Sequence, residues 1–343
     1  MLELLVEVCM ADRPENCATR LVPMQAACDV AAAEDWIGGR SDLVLREARC
    51  APAGEGVAPL AVSEVAPGVF VHAGHVALAS EENGGDIANL GFVVGETAVA
   101  VIDSGGSRAV GEALYAAIRA QTTLPIAWLV LTHMHPDHVY GASVFREAGA
   151  RVVGHARLEA ALANRAGSYG AMLARDIGPS GVIASELVTP DVAVEDRLSL
   201  DLGGRTLEVE AHPTAHTDND LSVFDAATGT LFVGDLAFER HLPTIDGSAL
   251  GWIGVLDALS ERAAVARIVP GHGSASLPWP DGGAATRDYL AALVEETRAA
   301  LGRGESLGEA AERLGAGLRG EWLLFDVFNA RNATAAYREL EWE

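Results

Sequence analysis

Residues 126–138 read Ile126-Ala127-Trp128-Leu129-Val130-Leu131-Thr132-His133-Met134-His135-Pro136-Asp137-His138. A short apolar run, of strand length, ends in four side chains that bind metal ions. Imidazole and carboxylate are the ligands of hydrolytic Zn²⁺ sites, and no thiolate is needed. Alternate residues of an extended segment share a face, so His133 and His135 project together. Asp137 and His138 then reach a second position nearby, and one loop can serve two metals. With ten histidines in 343 residues, this order is not what composition alone supplies.

Three more candidates lie at strand ends downstream. His216 stands in His212-Pro213-Thr214-Ala215-His216-Thr217-Asp218, with His212 as its rival. Asp235 follows the strand Thr230–Val233 in Gly234-Asp235. His272 follows the strand Arg267–Val269 in Pro270-Gly271-His272-Gly273. Glycine before Asp235 and on both sides of His272 removes side-chain bulk, so the backbone turns sharply and the ligand points inward. Seven nitrogen and oxygen ligands are enough for two metals that share one carboxylate.

The remaining composition narrows the function. The net charge is −24, from 48 acids against 24 bases, and every base is arginine. That field repels polyanions, so nucleic-acid substrates are disfavoured and a small-molecule substrate is expected. No apolar stretch approaches the twenty or so residues of a membrane span. Half the residues are hydrophobic, enough to bury a large core in one large domain or two ordinary ones. Cys9, Cys17, Cys28 and Cys50 all fall in the first fifty residues. Two disulfides stapling a small N-terminal unit with little core of its own, in an oxidising compartment, fit that pattern, with three pairings open. The spacing lacks the paired C-x-x-C of a structural zinc site. Glu3 and Glu7 interrupt any apolar leader, so the first residues do not read as a secretory signal.

Punctuation divides the chain. The Ala/Pro/Gly-rich stretch 51–68 reads as a linker. Strands are expected at Val69–Ala73, Asn89–Val94, Ala98–Asp103, Val152–Gly154, Thr206–Ala211, Leu221–Phe224 and Thr230–Val233. Helices are expected over Val110–Ala120, His155–Arg165, Trp252–Leu259, Ala284–Gly302 and Leu307–Leu314. Strands and helices alternate in two similar halves, which implies sheets with helices outside them. The division is 1–62, a small N-terminal segment; 63–280, the metal-binding domain; and 281–343, a C-terminal helical extension.

The order H-x-H-x-D-H, His-Thr, Gly-Asp and Gly-His-Gly resembles the metallo-β-lactamase superfamily over roughly residues 63–275. The resemblance implies an α/β fold, an αββα sandwich with the site at the edge of both sheets. It implies His133, His135 and His216 on one Zn²⁺, Asp137, His138 and His272 on a second, and Asp235 between them. The N-terminal cysteines, Pro213–Leu221, Arg240–Gly247 and Asn332–Glu343 further resemble the quinoprotein relay system zinc metallohydrolases. That likeness implies a periplasmic protein linked to quinoprotein alcohol oxidation.

The implied chemistry is hydrolysis of an ester-, thioester- or amide-type bond. Two Zn²⁺ would hold a hydroxide between them, with water acidified from a pKa of about 15.7 to about 7. Asp137 would orient that hydroxide as well as bind metal. His241 would contact substrate or protonate the leaving group. Asp103 and Asp218 are candidates to fix the tautomers of ligating histidines, Tyr169 could line the pocket, and Trp252 reads as core. The C-terminal helices Ala284–Leu314 could cover the cleft. Asp235 stands where cysteine-ligated lactamases need a thiol, and only 36 residues lie between Asp235 and His272, too few for a large inserted nucleic-acid-processing domain. The alternatives are an iron-dependent persulfide dioxygenase with one Fe, or a β-lactam hydrolase.

Overall fold

Burial follows a period of two wherever a strand has one wet face. In Thr206–Ala211, Leu207 and Val209 point inward while Thr206 and Glu208 face water. Strands covered on both sides lose the alternation, and Leu221–Asp225 and Thr230–Phe238 are buried along their whole length.

The computed structural model describes residues 2–25, 27–52 and 54–343. Its elements begin with β1 (Leu2–Met10), β2 (Cys17–Val22), α1 (Ala32–Gly38) and β3 (Leu43–Pro52). Then come β4 (Ser63–Ala66), β5 (Val69–His72), β6 (Leu90–Val94), β7 (Val99–Ile102), α2 (Arg108–Gln121) and β8 (Ile126–Val130). These lead to α3 (Pro136–Val139), α4 (Ala142–Glu147), β9 (Arg151–His155), α5 (Leu158–Asp176), α6 (Gly178–Gly181) and β10 (Val192–Val194). The second half holds β11 (Arg197–Asp201), β12 (Thr206–Ala211), β13 (Leu221–Asp225), β14 (Thr230–Phe238), α7 (Ala249–Ser260), β15 (Arg267–His272) and β16 (Leu277–Pro278). It closes with α8 (Asp281–Gly302), α9 (Leu307–Ala310) and α10 (Phe325–Leu340).

Strands β4 to β10 form a seven-stranded sheet in consecutive order, and β11 to β16 a six-stranded one. The two face each other across Val71, Ile102, Val130, Leu207, Val223 and Phe232. Leu114 of α2, Phe145 of α4 and Leu162 of α5 cover the outside of the first sheet. Trp252 of α7, Leu290 of α8 and Ala333 of α10 cover the second. This is the αββα sandwich. Strands β7, β8 and β9 run parallel, as do β14 and β15. The expected ligands come from the loop after β8, from the β12–β13 loop, from Asp235 within β14, which runs past the expected Val233 to Phe238, and from His272 at the end of β15.

Beyond the sandwich, β1, β2 and β3 make a separate three-stranded sheet. Its disulfides join Cys9 to Cys17, which face each other in register, and Cys28 to Cys50. The unit holds a core of Leu4, Val6, Val8 and Trp36, completed by Ile183, more than the sequence led us to expect. A buried ionic network docks it. Arg108, fully buried, sits 2.8 Å from Glu112 and 2.7 Å from Glu147, and donates to Leu21 O at 2.8 Å. Burying that guanidinium is tolerable because both carboxylates and a carbonyl meet it.

The stretch 51–68 is not a simple linker. Ala51 and Pro52 finish β3, and residues 63–66 form β4, because sheet pairing overrides the loop-like composition. Met1 and Ala53 lie outside the described residues. Helix α5 runs eleven residues past the expected Arg165, to Asp176. The helix expected over Leu307–Leu314 stops at Ala310, with Gly308 inside it and Gly315 at φ 73° beyond. Helix α10 (Phe325–Leu340) falls within the 281–343 helical extension, although no helix bounds were expected there.

His72, at the end of β5, anchors the loop that leads to the site. Its Nδ1 faces Ala61 O at 2.9 Å and its Nε2 faces Asp86 Oδ1 at 2.8 Å. Both partners accept, so both ring nitrogens must carry protons. Burial opposes that charge, but the Asp86 hydrogen bond and charge outweigh it and raise the His72 pKa. A raised histidine stabilises fully below its unfolded pKa of about 6.5, and the gain is lost as pH climbs through the higher folded value. In the presence of a chelator, wild-type Tm is therefore expected to fall more between pH 6 and 9 than that of His72→Gln. Equal slopes in thermal melts would remove the assignment.

Candidate metal centre

Each ligand is set by a local device. His135 has extended backbone and Pro136 opens α3, where its missing N–H costs nothing. His216 lies in the β12–β13 loop, which Asp220 braces by accepting from Thr217 N at 2.9 Å and Thr217 Oγ1 at 2.6 Å. Burial pushes the Asp220 carboxyl up to about 7. Asp235 follows Gly234, whose φ of 51° favours glycine, and His272 ends β15.

The seven side chains converge in two groups: His133, His135, His216 and Asp235, and Asp137, His138 and His272. His135 Nδ1 lies 3.1 Å from His133 Nε2 and 2.9 Å from His216 Nε2. Asp235 Oδ2 lies 3.7 Å from His133 Nε2 and 3.4 Å from His216 Nε2. Its other oxygen, Oδ1, lies 3.2 Å from His138 Nε2 and 3.5 Å from His272 Nε2. Asp137 Oδ2 completes the second group, 3.3 Å from His272 Nε2 and 3.6 Å from His138 Nε2. A tetrahedral site with bonds near 2.05 Å has ligand–ligand edges of about 3.3 Å, the scale seen here.

The outward nitrogens settle what points inward. His216 Nδ1 donates to Thr244 O at 2.7 Å and His272 Nδ1 to Ile87 O at 2.8 Å. His138 Nδ1 faces Asp103 Oδ2 at 2.8 Å, and His135 Nε2 faces Asp246 Oδ2 at 3.2 Å. Thr132 Oγ1 donates to Asp103 at 2.8 Å, leaving its lone pair to accept from His133 Nδ1 at 3.0 Å. In the neutral ring each outward N–H leaves an inward lone pair. Three such lone pairs facing one another within about hydrogen-bond distance are repulsive unless a cation sits among them. His138 Nε2 and Asp235 Oδ1 are buried with no hydrogen-bond partner. The donor set therefore fits metal ions in both groups.

Charge is divided unevenly across the cluster. Burial, with repulsion from His138, lowers His133 well below its usual value, and burial takes His216 to about 3. For His138 and His272 burial also opposes the charge, but Asp235 and Asp137 outweigh it; His272 rises to about 9. Burial would raise both carboxylates, yet the histidines hold Asp137 and Asp235 below the ordinary range.

Glycine contacts explain the motif. A Cβ on Gly271 would stand 1.9 Å from Asp235 Oδ1. Gly271→Ala is expected to displace that carboxylate, remove at least one metal per chain and cost about 10²-fold in turnover. Metal content by mass spectrometry checks it, and full loading would count against the contact.

Other expectations sort by position. His212 turns away to Ser222 Oγ at 2.8 Å, leaving the position to His216. Asp103 meets His138, but Asp218 reaches no ligating histidine; its carboxylate caps Asn219. Asp246, unassigned in sequence, holds His135, and no spacing signal links residues 111 apart. Trp252 is core. Tyr169 and His241 line a cavity of about 570 Å³ that opens on the cluster. Its far wall comes from α5 and α10, through Met172, Val327 and Phe328, rather than from residues 284–314. His241 stacks on His272 at 4.7 Å and donates Nδ1–H to Leu242 O at 2.7 Å. Burial lowers its pKa to about 4, which favours the neutral ring with Nδ1–H on Leu242 O and a lone pair on Nε2.

Comparison with known proteins agrees with this geometry. No curated protein matches the chain in sequence. A metallo-beta-lactamase from Pontibacter korlensis is similar in structure, with 21% identity, a TM-score of 0.56, and coverage of 68% of this chain and 99% of that one. The DIM-1 metallo-beta-lactamase has 18% identity, a TM-score of 0.53, and coverage of 68% and 98%. The inverting sec-alkylsulfatase Pisa1 from a Pseudomonas species has 22% identity and a TM-score of 0.60 over 83% of this chain, which spans about half (51%) of that protein. The sandwich, the loops that gather its ligands, and a match to the family model over residues 83–280 lead to one assignment: this chain belongs to the metallo-beta-lactamase superfamily.

Proposed function

We propose that the protein is a two-zinc hydrolase acting on an ester-, thioester- or amide-type bond. The observation that carries this reading is the split of the Asp235 carboxylate, Oδ2 toward one ligand group and Oδ1 toward the other. His133, His135 and His216 would hold one Zn²⁺, Asp137, His138 and His272 the other, and Asp235 both. When bound, such a pair supplies a nucleophile from water at neutral pH and Lewis acidity toward the scissile group.

The chain's own residues do the rest. Asp137 lines the cavity and is more open than Asp235, 17% against 4%, so it is the carboxylate that meets incoming water and takes its proton. Phe238 and Trp252 pack against His216 and keep bulk water from its ring. His241 Nε2 accepts a hydrogen bond from substrate. His241→Ala is expected to lower kcat/KM about tenfold at unchanged zinc content, and an unchanged kcat/KM would remove the contact.

Residues 63–280 act as the catalytic body in this reading, with 1–62 and 281–343 added to it. Two disulfides support an oxidising compartment such as the periplasm. The link to quinoprotein alcohol oxidation rests on sequence resemblance. An iron dioxygenase with one metal leaves the orphaned His138 Nε2 unexplained. Metal analysis of protein purified without added metal decides between them, followed by a screen against thioesters, lactones and a chromogenic β-lactam. Two zinc per chain with hydrolysis is expected; one iron with oxygen consumption would overturn the hydrolase.

A further inference from the structure

Arg165 on α5 and Arg331 on α10 approach the cleft from different helices and meet one carboxylate, Asp246, at 3.5 Å each. Asp246 already takes His135 Nε2 at 3.2 Å. One acid therefore serves two guanidiniums and an imidazole, and neither arginine is saturated. Elsewhere in this chain Arg40 and Arg108 sit 2.7 to 2.8 Å from their acids. Among the described residues, nothing hydrogen-bonds the Tyr169 hydroxyl, which feels the charges of Arg165, Arg331 and Asp246 from the same wall. Asp137, Asp176, Asp235 and Asp246 also line the cleft, so positive charge is confined to the wall where Arg165 and Arg331 share the single Asp246, and that pair suits one small anion rather than a polyanion.

Past these groups the cleft turns apolar. Leu78, Met172 and Val327 line it, and Leu78 and Val327 leave 48% and 49% of their surface open to water. A cavity of about 570 Å³ takes a ligand of ordinary metabolite size.

We propose that this cleft binds an amphiphilic anion, its carboxylate or sulfate on Arg165, Arg331 and the Tyr169 hydroxyl, its aliphatic tail along Leu78, Met172 and Val327. The inference deepens the hydrolase reading by naming a substrate class, and rests on it for the bond that is cut. The anion site itself does not require the metals.

The test is calorimetric titration of metal-free and zinc-loaded protein with octanoate, octyl sulfate, butyrate and 1-octanol. Octanoate or octyl sulfate is expected to bind at least tenfold tighter than butyrate or octanol. Arg165→Gln/Arg331→Gln is expected to lose that advantage at least tenfold while octanol is unaffected. Val327→Asn, which removes apolar surface without adding charge, is expected to weaken the octyl anions and spare butyrate. Both arginines are part-exposed, so the double variant should fold, and a thermal melt verifies it. Octyl anions that bind the double variant as well as wild type, or no better than octanol, would overturn the proposal. Anion binding that persists in a zinc-loaded protein with no activity on esters, thioesters, lactones or β-lactams would sink the hydrolase reading and leave the anion site standing.

Discussion

Asp235→Ala is expected to lower zinc from two per chain to one or none, and to cut kcat/KM by at least about 10⁴-fold. At 1.36 kcal/mol per tenfold, that is roughly 5.5 kcal/mol of transition-state stabilisation. The reason is position. Asp235 is the one carboxylate with an oxygen in each ligand group, 3.4 Å from His216 and 3.2 Å from His138. Removing it leaves five inward imidazole nitrogens and one carboxylate, Asp137, to hold two dications in a buried site. Buried charges without compensation are costly, so the second ion leaves first. Zinc assay after dialysis reads occupancy directly. A thermal shift gives a second readout, since zinc that binds only the folded state raises wild-type Tm by mass action and should do so far less in the variant. Asp235→Asn keeps the shape and removes the charge, so it separates packing from electrostatics. Two zinc ions held by either variant would end the shared-carboxylate reading.

What was legible in sequence is what local chemistry fixes. The loop after β8 announces itself because apolar strand, ligand spacing and Pro136 sit within thirteen residues. Gly234 and Gly271 were legible for the same reason: an acid or imidazole beside glycine signals close backbone approach, and Gly271 indeed leaves room only for Asp235 Oδ1. Tertiary choices were not legible. Asp218 and Asp220 lie two residues apart in one loop, and only the fold decides that Asp220 turns in to brace Thr217 while Asp218 faces out. Asp246 reaches His135 across the whole β9–β14 segment, so no window contains both. Arg108, Glu112 and Glu147 look like ordinary helix-surface charges until the N-terminal sheet closes over them. The bounds of α10 were not legible because its burial pattern depends on α8 and on the loop carrying Thr244, against which Asn332 hydrogen-bonds Pro243 O at 2.6 Å. The same sequence features thus gave the His/Asp cluster but not the cleft wall beside it.

Asp137→Ala should behave differently from Asp235→Ala, and the contrast tests the division of labour between the two acids. Asp137 contacts only the second group, through Oδ2, at 3.3 Å from His272 and 3.6 Å from His138. Its loss removes one ligand of one ion, and a site keeping His138, His272 and Asp235 is expected to retain most of its zinc at saturating metal. Activity is expected to fall further, by about 10³-fold, because the same carboxylate faces the cavity and, in the proposed reaction, would take the proton of the attacking water. A positioned general base contributes about 10² to 10⁴-fold, so the deficit should exceed what occupancy accounts for. Turnover normalised to bound zinc is the measurement. Should activity and zinc fall by the same fraction, Asp137 is a ligand alone. Asp137→Asn sharpens the result: it keeps an oxygen for the metal and cannot accept a proton, so it should recover zinc without recovering turnover.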